Sequence, residues 1–242
     1  KECRGDRVVS EALQKRKGGA LMYARIRKKI EGWMKEREIG LLPHLLLYGL
    51  SALYGALVGL KMRLYSGGFL ERKELPCKVI SIGNITSGGT GKTPFAVWLA
   101  GYLKKRNTRV VILSRGYKGS AKGVAVVSDG QKILLGPKEA GDEPYLMAKR
   151  LKDVPVIVGA NRYDSGLFAV ENFNPDCIIL DDGFQHMRLK RDLDIVLIDA
   201  VEGFGNGYLL PRGVLREPVG GLKRAGLVMV KGGILAPEER RA

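Results

Sequence analysis

From residue 78 onward, short apolar runs alternate with longer stretches of helical spacing. The runs at 79–82, 110–113, 124–127, 154–158, 178–180, 195–198 and 227–230 are rich in Val, Ile and Leu. Strands that are apolar on both sides are buried on both faces, as in a parallel sheet covered by helices. Between them, 92–105, 144–151 and 164–172 read as helices. Joined by right-handed crossovers, these elements predict an α/β fold over 76–242 with a doubly wound, mostly parallel sheet. Asp129-Gly130, set between 124–128 and 132–135, predicts a hairpin turn.

The chain ahead of this domain has a different pattern. Residues 39–60 contain no Asp, Glu, Lys or Arg, and a spanning helix needs about 20 apolar residues. Pro43, His44, Ser51 and four glycines interrupt the run. With basic flanks at Lys35, Arg37, Lys61 and Arg63, a helix lying in a membrane interface fits best. A helix buried in the domain is the alternative. A secretory signal is a poor fit, since no small-residue cleavage site follows. The organisation expected is thus a basic extension over 1–38, an apolar membrane-associated helix over 39–66 and a domain over 76–242. Met22 is a candidate natural start, which would make 1–21 foreign to the fold. The chain opens on Lys1 and closes on Glu-Glu-Arg-Arg-Ala, so both ends look cut.

Charge narrows the partners. Against 25 acidic residues stand 41 Lys and Arg, a formal net charge of +16. Such a chain favours anionic partners: nucleic acid, a phosphorylated substrate or acidic lipid. Without an aromatic platform or a recognisable binding motif, nucleic acid is not expected. The three cysteines, Cys3, Cys77 and Cys177, lie far apart with no CxxC spacing. Neither a disulfide framework nor a zinc site is implied, and a reducing cytoplasm is the simpler setting. Cys177, inside an apolar run, reads as core.

The chemistry concentrates where the run at 79–82 enters Gly83-Asn-Ile-Thr-Ser-Gly-Gly-Thr-Gly-Lys-Thr93 and then a helix. Strand, glycine-rich loop and helix is the context a phosphate-binding P-loop requires. Thr86, Ser87, Gly88, Gly89, Thr90 and Gly91 would turn backbone N–H groups onto phosphate oxygens. The helix start adds its positive dipole end. Lys92 would reach the β- and γ-phosphates, and Thr93 would hold Mg²⁺ through its hydroxyl. The usual first glycine of the motif is Thr86 here, and Gly88 and Gly89 supply the missing freedom. Cys177-Ile-Ile-Leu-Asp-Asp-Gly183 has the form of the second strand of such a site, with Asp181 and Asp182 as metal carboxylates. Asp199, ending another strand, is a weaker rival. No Asn/Thr-Lys-x-Asp guanine motif follows a strand, since Lys231-Gly-Gly lacks the Asp, so ATP is favoured over GTP.

Other residues are open to two readings. Asp142 is either the cap of a helix starting near Pro144 or a proton acceptor for a hydroxyl. Arg115 and Arg162, each just past a strand end, are suited to anionic substrate groups. His186 either shapes the site or is structural. An ATPase or GTPase switch of the metallochaperone type shares this loop chemistry. It would hydrolyse nucleotide with no lipid acceptor.

The chain resembles the tetraacyldisaccharide 4'-kinases, the lipid A 4'-kinases. The resemblance rests on Gly83-Asn84 with Gly88-Gly-Thr-Gly-Lys-Thr-Pro94, Ser114-Arg-Gly-Tyr117, Gly141-Asp-Glu-Pro144, Asn161-Arg162, Asp181-Asp-Gly-Phe-Gln-His186 and Leu209-Leu-Pro-Arg-Gly-Val-Leu-Arg-Glu-Pro218. These occur in the family's order over roughly 40–235. The resemblance implies a P-loop kinase that uses ATP and Mg²⁺. It would phosphorylate the 4'-hydroxyl of tetraacyldisaccharide 1-phosphate, giving lipid IVA. It implies work at the cytoplasmic face of the bacterial inner membrane, peripheral or anchored by a single helix, on an anionic surface and with no obligate protein partner. It makes Asp142 the general base beside Lys92. It gives Thr93, Asp181 and Asp182 to the metal, and sets Arg115, Tyr117, Arg162, Gln185, His186, Arg216 and Glu217 near the substrate. It also implies a second C-terminal lobe that is largely missing here.

Overall fold

The computed structural model describes residues 40–232 together with Gly32 and Met34. The rest of the basic extension, Ile39 and the chain after Gly232 lie outside the described residues. Contacts gather the chain into two units. One joins the helical stretch up to Ala56 with Phe204–Leu215, and the other joins Leu57–Gly203 with the chain from Arg216 onward.

The longest element, α1 (Leu41–Ser66), is helical throughout. Its leucines at 45, 46, 50, 53, 57 and 60 are exposed, and Leu47 is buried. By length and composition alone it could cross a membrane. In the first unit, α1 presents Ser51 to the 204–215 loop. Ser51 Oγ donates to the Leu209 carbonyl (2.7 Å) and accepts from Arg212 N (2.9 Å). Arg212, fully buried, donates from Nε to His44 Nδ1 (3.2 Å) and lies over the Tyr208 ring. Gly55 leaves the room that the Leu209 side chain fills.

The second unit is built on one sheet. Its strands are β1 (Lys78–Gly83), β2 (Val110–Ser114), β3 (Ala125–Ser128), β4 (Val156–Val158), β5 (Cys177–Asp181), β6 (Leu193–Asp199) and β7 (Leu227–Lys231). The order is β3-β4-β2-β5-β1-β6-β7. Every pair is parallel except β3 against β4. All seven predicted runs are strands. The helices are α2 (Lys92–Lys104), α3 (Pro137–Ala140), α4 (Asp142–Arg150) and α5 (Arg162–Phe173), with a 3₁₀ turn at Val219–Arg224.

Alternating strand residues face opposite sides of the sheet, and each side has its own core. Ile82, Ile112, Ile179 and Ile195 pack with Ala96, Leu99 and Ala100 of α2 and with Met147 and Ala148 of α4. Val79, Val111, Leu113, Ile178 and Leu180 pack with Ala169 of α5. Helices on both faces make the sheet doubly wound. Each fully buried aliphatic side chain contributes roughly 1.5–3 kcal/mol, so the central strands hold the strand ends, and whatever they carry, in fixed register. Cys177 is part of this interior, where burial pushes its thiol up to about 12.

Two expectations change. Residues 132–135 do not form a strand. They make one bridge, Ser128 to Ile133, while the Asp129 carboxylate accepts from the N–H groups of Gln131 and Lys132. The turn is there, but the hairpin stops after it. Helix α4 begins at Asp142 rather than near Pro144, and Gly141 (φ 90°) takes the cap position. Pro144 is accommodated because a first-turn residue needs no N–H partner within the helix. Asp142 is therefore not the N-cap, and its carboxylate is exposed in the first turn.

Candidate functional site

The inner strand β1 runs out at Gly83, and the loop that follows starts α2 at Lys92. Asn84 and Thr90, both buried, brace the loop across its base. Asn84 Nδ2 donates to Thr90 Oγ1 at 3.1 Å. Thr86 is buried, Ser87 is half-buried, and Gly88 and Gly89 are exposed. Gly91 caps α2 at φ 86°, a left-handed conformation that a side chain would strain. Lys92 and Thr93 open the helix, each half-buried.

Because β5 pairs with β1 in parallel, Ile82 lies opposite Asp181. The two carboxylates after β5 then separate. Asp182 (φ 54°) turns toward the loop, with Oδ1 3.6 Å from Lys92 Nζ. Arg216 NH1 donates to both oxygens of Asp182, at 2.8 and 3.0 Å. Gln185 joins this cluster. Its Nε2 donates to the Asn84 carbonyl (2.7 Å) and to Glu217 (3.2 Å), while its Oε1 lies 3.5 Å from Arg216 NH1. Glu217, buried, also takes the Arg224 guanidinium at 2.8 Å. Residues 34 positions apart in the chain thus share one knot around Asp182.

Asp181 points into the interior. Ser114 Oγ donates to its Oδ2 at 3.4 Å, and its Oδ1 has no hydrogen-bond partner. Burial pushes this carboxyl up to about 7. The charges of Glu143 and Asp182 add to the rise, and Lys92 and Arg162 oppose it. Arg162, at the start of α5, is buried and donates to the Gly159 carbonyl at 2.6 Å. Burial draws its pKa down to about 10. His186 is half-buried, with Nε2 unpartnered.

Asp142 stands at the start of α4. Among the described residues, no side-chain bond joins it to Lys92, Asp181 or Asp182. The chain from Arg115 to Ala121 packs against the residues just before it, however. Ser120 N and Ala121 N donate to the carbonyls of Lys138 and Glu139, and a β-carbon at Gly141 would lie 2.5 Å from the Tyr117 carbonyl oxygen. Arg115 and Tyr117 are themselves exposed. Asp199 is occupied elsewhere, accepting from the N–H groups of Val201 (2.9 Å) and Glu202 (3.2 Å). It caps the loop after β6.

The residues present fit Mg²⁺. Asp181 Oδ1 is an orphaned buried oxygen, Asp182 faces the loop, and Thr93 supplies a hydroxyl at the helix start. Among the described residues no cluster of three His, Cys, Asp or Glu side chains gathers. A P-loop cation needs none, because phosphate oxygens and water supply the remaining ligands. Asn84, Ser114 and Arg224 support the site from behind, and of these the sequence motifs left out only Arg224. Asn84, Ser114 and Glu143 were visible inside Gly83-Asn84, Ser114-Arg-Gly-Tyr117 and Gly141-Asp-Glu-Pro144, but without these roles.

A doubly wound, mostly parallel sheet in which an inner strand feeds a glycine-rich, Lys-Thr loop beside a carboxylate-ending strand defines the P-loop class. Within that class, the sequence pattern of the tetraacyldisaccharide-1-P 4'-kinases matches residues 43–242. The chain belongs to this family. It is 47% identical over 218 residues to the tetraacyldisaccharide 4'-kinase of Halothermothrix orenii, covering 86% of this chain and 56% of that protein. It is 49% identical over 185 residues to that of Geobacter metallireducens, covering 76% and 55%. A crystal structure of LpxK from Aquifex aeolicus in complex with ATP superposes with a TM-score of 0.72 at 45% identity, covering 77% of this chain and 58% of that one. The chain thus spans little more than half the length of these relatives.

Proposed function

We propose that the protein transfers the γ-phosphate of ATP, with Mg²⁺, to the 4'-hydroxyl of tetraacyldisaccharide 1-phosphate at the cytoplasmic face of an anionic inner membrane, giving lipid IVA. The observation that carries this reading is the 3.6 Å approach of Lys92, in the phosphate loop, to Asp182 at the end of β5, in a chain of this family. The ATP held by the related Aquifex aeolicus structure supports the choice of nucleotide. The exposed leucines of α1 support a bilayer as the place of work.

In this reading the residues divide the labour. Backbone N–H groups of 86–91 and the N-terminal end of α2 hold the polyphosphate. Lys92 exchanges its carboxylate partner for β- and γ-phosphate oxygens, leaving Asp182 anchored by Arg216. Thr93, Asp181 and Asp182 would hold Mg²⁺, which would supply positive charge against the polyphosphate. Asp142 accepts the proton of the 4'-hydroxyl, with Glu143 beside it keeping the local field negative. Arg115, Tyr117, Arg162 and His186 line the acceptor side. Gln185 and Glu217 hold Arg216 in place. The donors are fixed before reaction, so alignment and charge stabilisation carry most of the rate.

The test is transfer of labelled γ-phosphate to tetraacyldisaccharide 1-phosphate in detergent micelles, using the protein at the full length of its relatives. Labelled lipid is expected. Lys92→Ala and Asp142→Ala should each lower the rate at least about 10²-fold. Labelled inorganic phosphate with no labelled lipid would replace the kinase with a nucleotide switch.

A further inference from the structure

The two sides of the phosphate loop differ in chemistry. On the β5 side lie Asp181, Asp182, Ser114 and Arg162, and beyond them Asp142 and Glu143. This is the end where the γ-phosphate and acceptor belong under the reading above, on which this inference rests. A polyphosphate laid across the start of α2 with its γ end at Lys92 and Asp182 must therefore send its nucleoside toward β6 and β7. Ligands of open parallel sheets sit in this crevice, at the carboxyl ends of the strands.

On that side, β7 ends at Lys231, in register with Asp199 at the end of β6. Lys231 is exposed, and its side chain runs beside the phosphate loop. Measured from where a β-carbon on Gly91 would stand, its Cδ is 3.2 Å away, its Nζ 3.5 Å and its Cε 3.7 Å. The whole outer half of the side chain thus lies along Gly91, and only glycine at 91 leaves that track open. This is an unfavourable place for a lone cation, since the N-terminal end of α2 is positive and Lys92 is adjacent. Asp199, in register with Lys231, has its carboxylate held below its usual range by two backbone N–H groups, and the charge of Lys231 adds to this.

We propose that Lys231 is the nucleoside-positioning residue of this site, its stem and ammonium forming a ledge on which the face of the purine rests. A cation over an aromatic face is favourable, and the base has the π-surface that the phosphates lack. No Asp follows in Lys231-Gly-Gly, so the ledge reads the face of the ring rather than its hydrogen-bonding edge. Lys231 thus acts on nucleotide affinity and not on phosphoryl transfer.

The test is calorimetric titration of the protein, at the full length of its relatives, with ADP and separately with inorganic tripolyphosphate, both with Mg²⁺. Lys231→Ala should weaken ADP about tenfold and leave tripolyphosphate unchanged, Lys231→Arg should restore most of the ADP affinity, and Lys92→Ala should weaken both. Because Lys231 is exposed, the melting temperature of the variants should match that of the parent. Unchanged ADP binding in Lys231→Ala, or an equal loss for ADP and tripolyphosphate, would overturn the ledge. A parent protein that binds neither probe would overturn the nucleotide reading beneath it, and the ledge with it.

Discussion

His186 sits among like charges. Burial, then Arg162, Arg191, Lys61 and Arg188 in turn, draw its pKa down to about 4. The folded protein therefore keeps this imidazole neutral in a range where the unfolded chain, near 6.5, takes up a proton. The unfolded state binds more protons in that interval, so stability rises with pH between about 4 and 6.5 and is lost on acidification. His186→Gln should flatten that slope while leaving stability at pH 8 nearly unchanged. Calorimetric melting from pH 4.5 to 8 would show it, and a variant whose slope matches the parent's would remove His186 as the cause. The residue was legible in the sequence as a member of Asp-Asp-Gly-Phe-Gln-His. Its surroundings were not, because Arg162 and Lys61 arrive from distant parts of the chain. The same holds for Asp182. The sequence marks a carboxylate at a strand end, but not that Arg216 takes both of its oxygens.

At the scale of elements, the strands were the readable part. An apolar run with no polar alternation has one stable destination, the middle of a covered sheet, and 79–82 and 178–180 went there as β1 and β5. What escaped was set by local turn chemistry. The Asp129 side chain satisfies the backbone that a second hairpin strand would have used, and the left-handed Gly141 starts α4 earlier than its proline suggested. The close pairing of β1 with the turn after β5 makes a direct prediction. A β-carbon at Gly83 would lie 2.5 Å from Phe184 Cβ and 3.0 Å from its backbone nitrogen. Phe184 is fully buried and cannot swing away. Gly83→Ala should cost about 1–3 kcal/mol by overpacking and displace Gln185, next in the chain. Denaturant unfolding should report the loss. A parent-like midpoint would mean that the strands can part more easily than their register implies.

For the whole molecule, the formal charge of +16 and the uncovered leucines of α1 are separate forces that act on the same surface. Charge attracts the protein to anionic lipid over a Debye length and is screened by salt. Apolar side chains entering the bilayer are insensitive to salt. The two can be separated on vesicles. Binding should be stronger to phosphatidylglycerol vesicles than to phosphatidylcholine ones, and raising salt to about 0.5 M should weaken it without abolishing it. Leu46 and Leu53 are 65% and 59% exposed, so Leu46→Glu with Leu53→Glu should spare the fold and its melting temperature. That pair should nevertheless remove the salt-resistant fraction, because a carboxylate is expensive in hydrocarbon. If the double variant still co-sediments with vesicles at high salt, α1 is not what enters the lipid. If the parent protein itself washes off at high salt, charge alone holds it there, and under the proposed function the acceptor would have to rise out of the bilayer to meet Asp142.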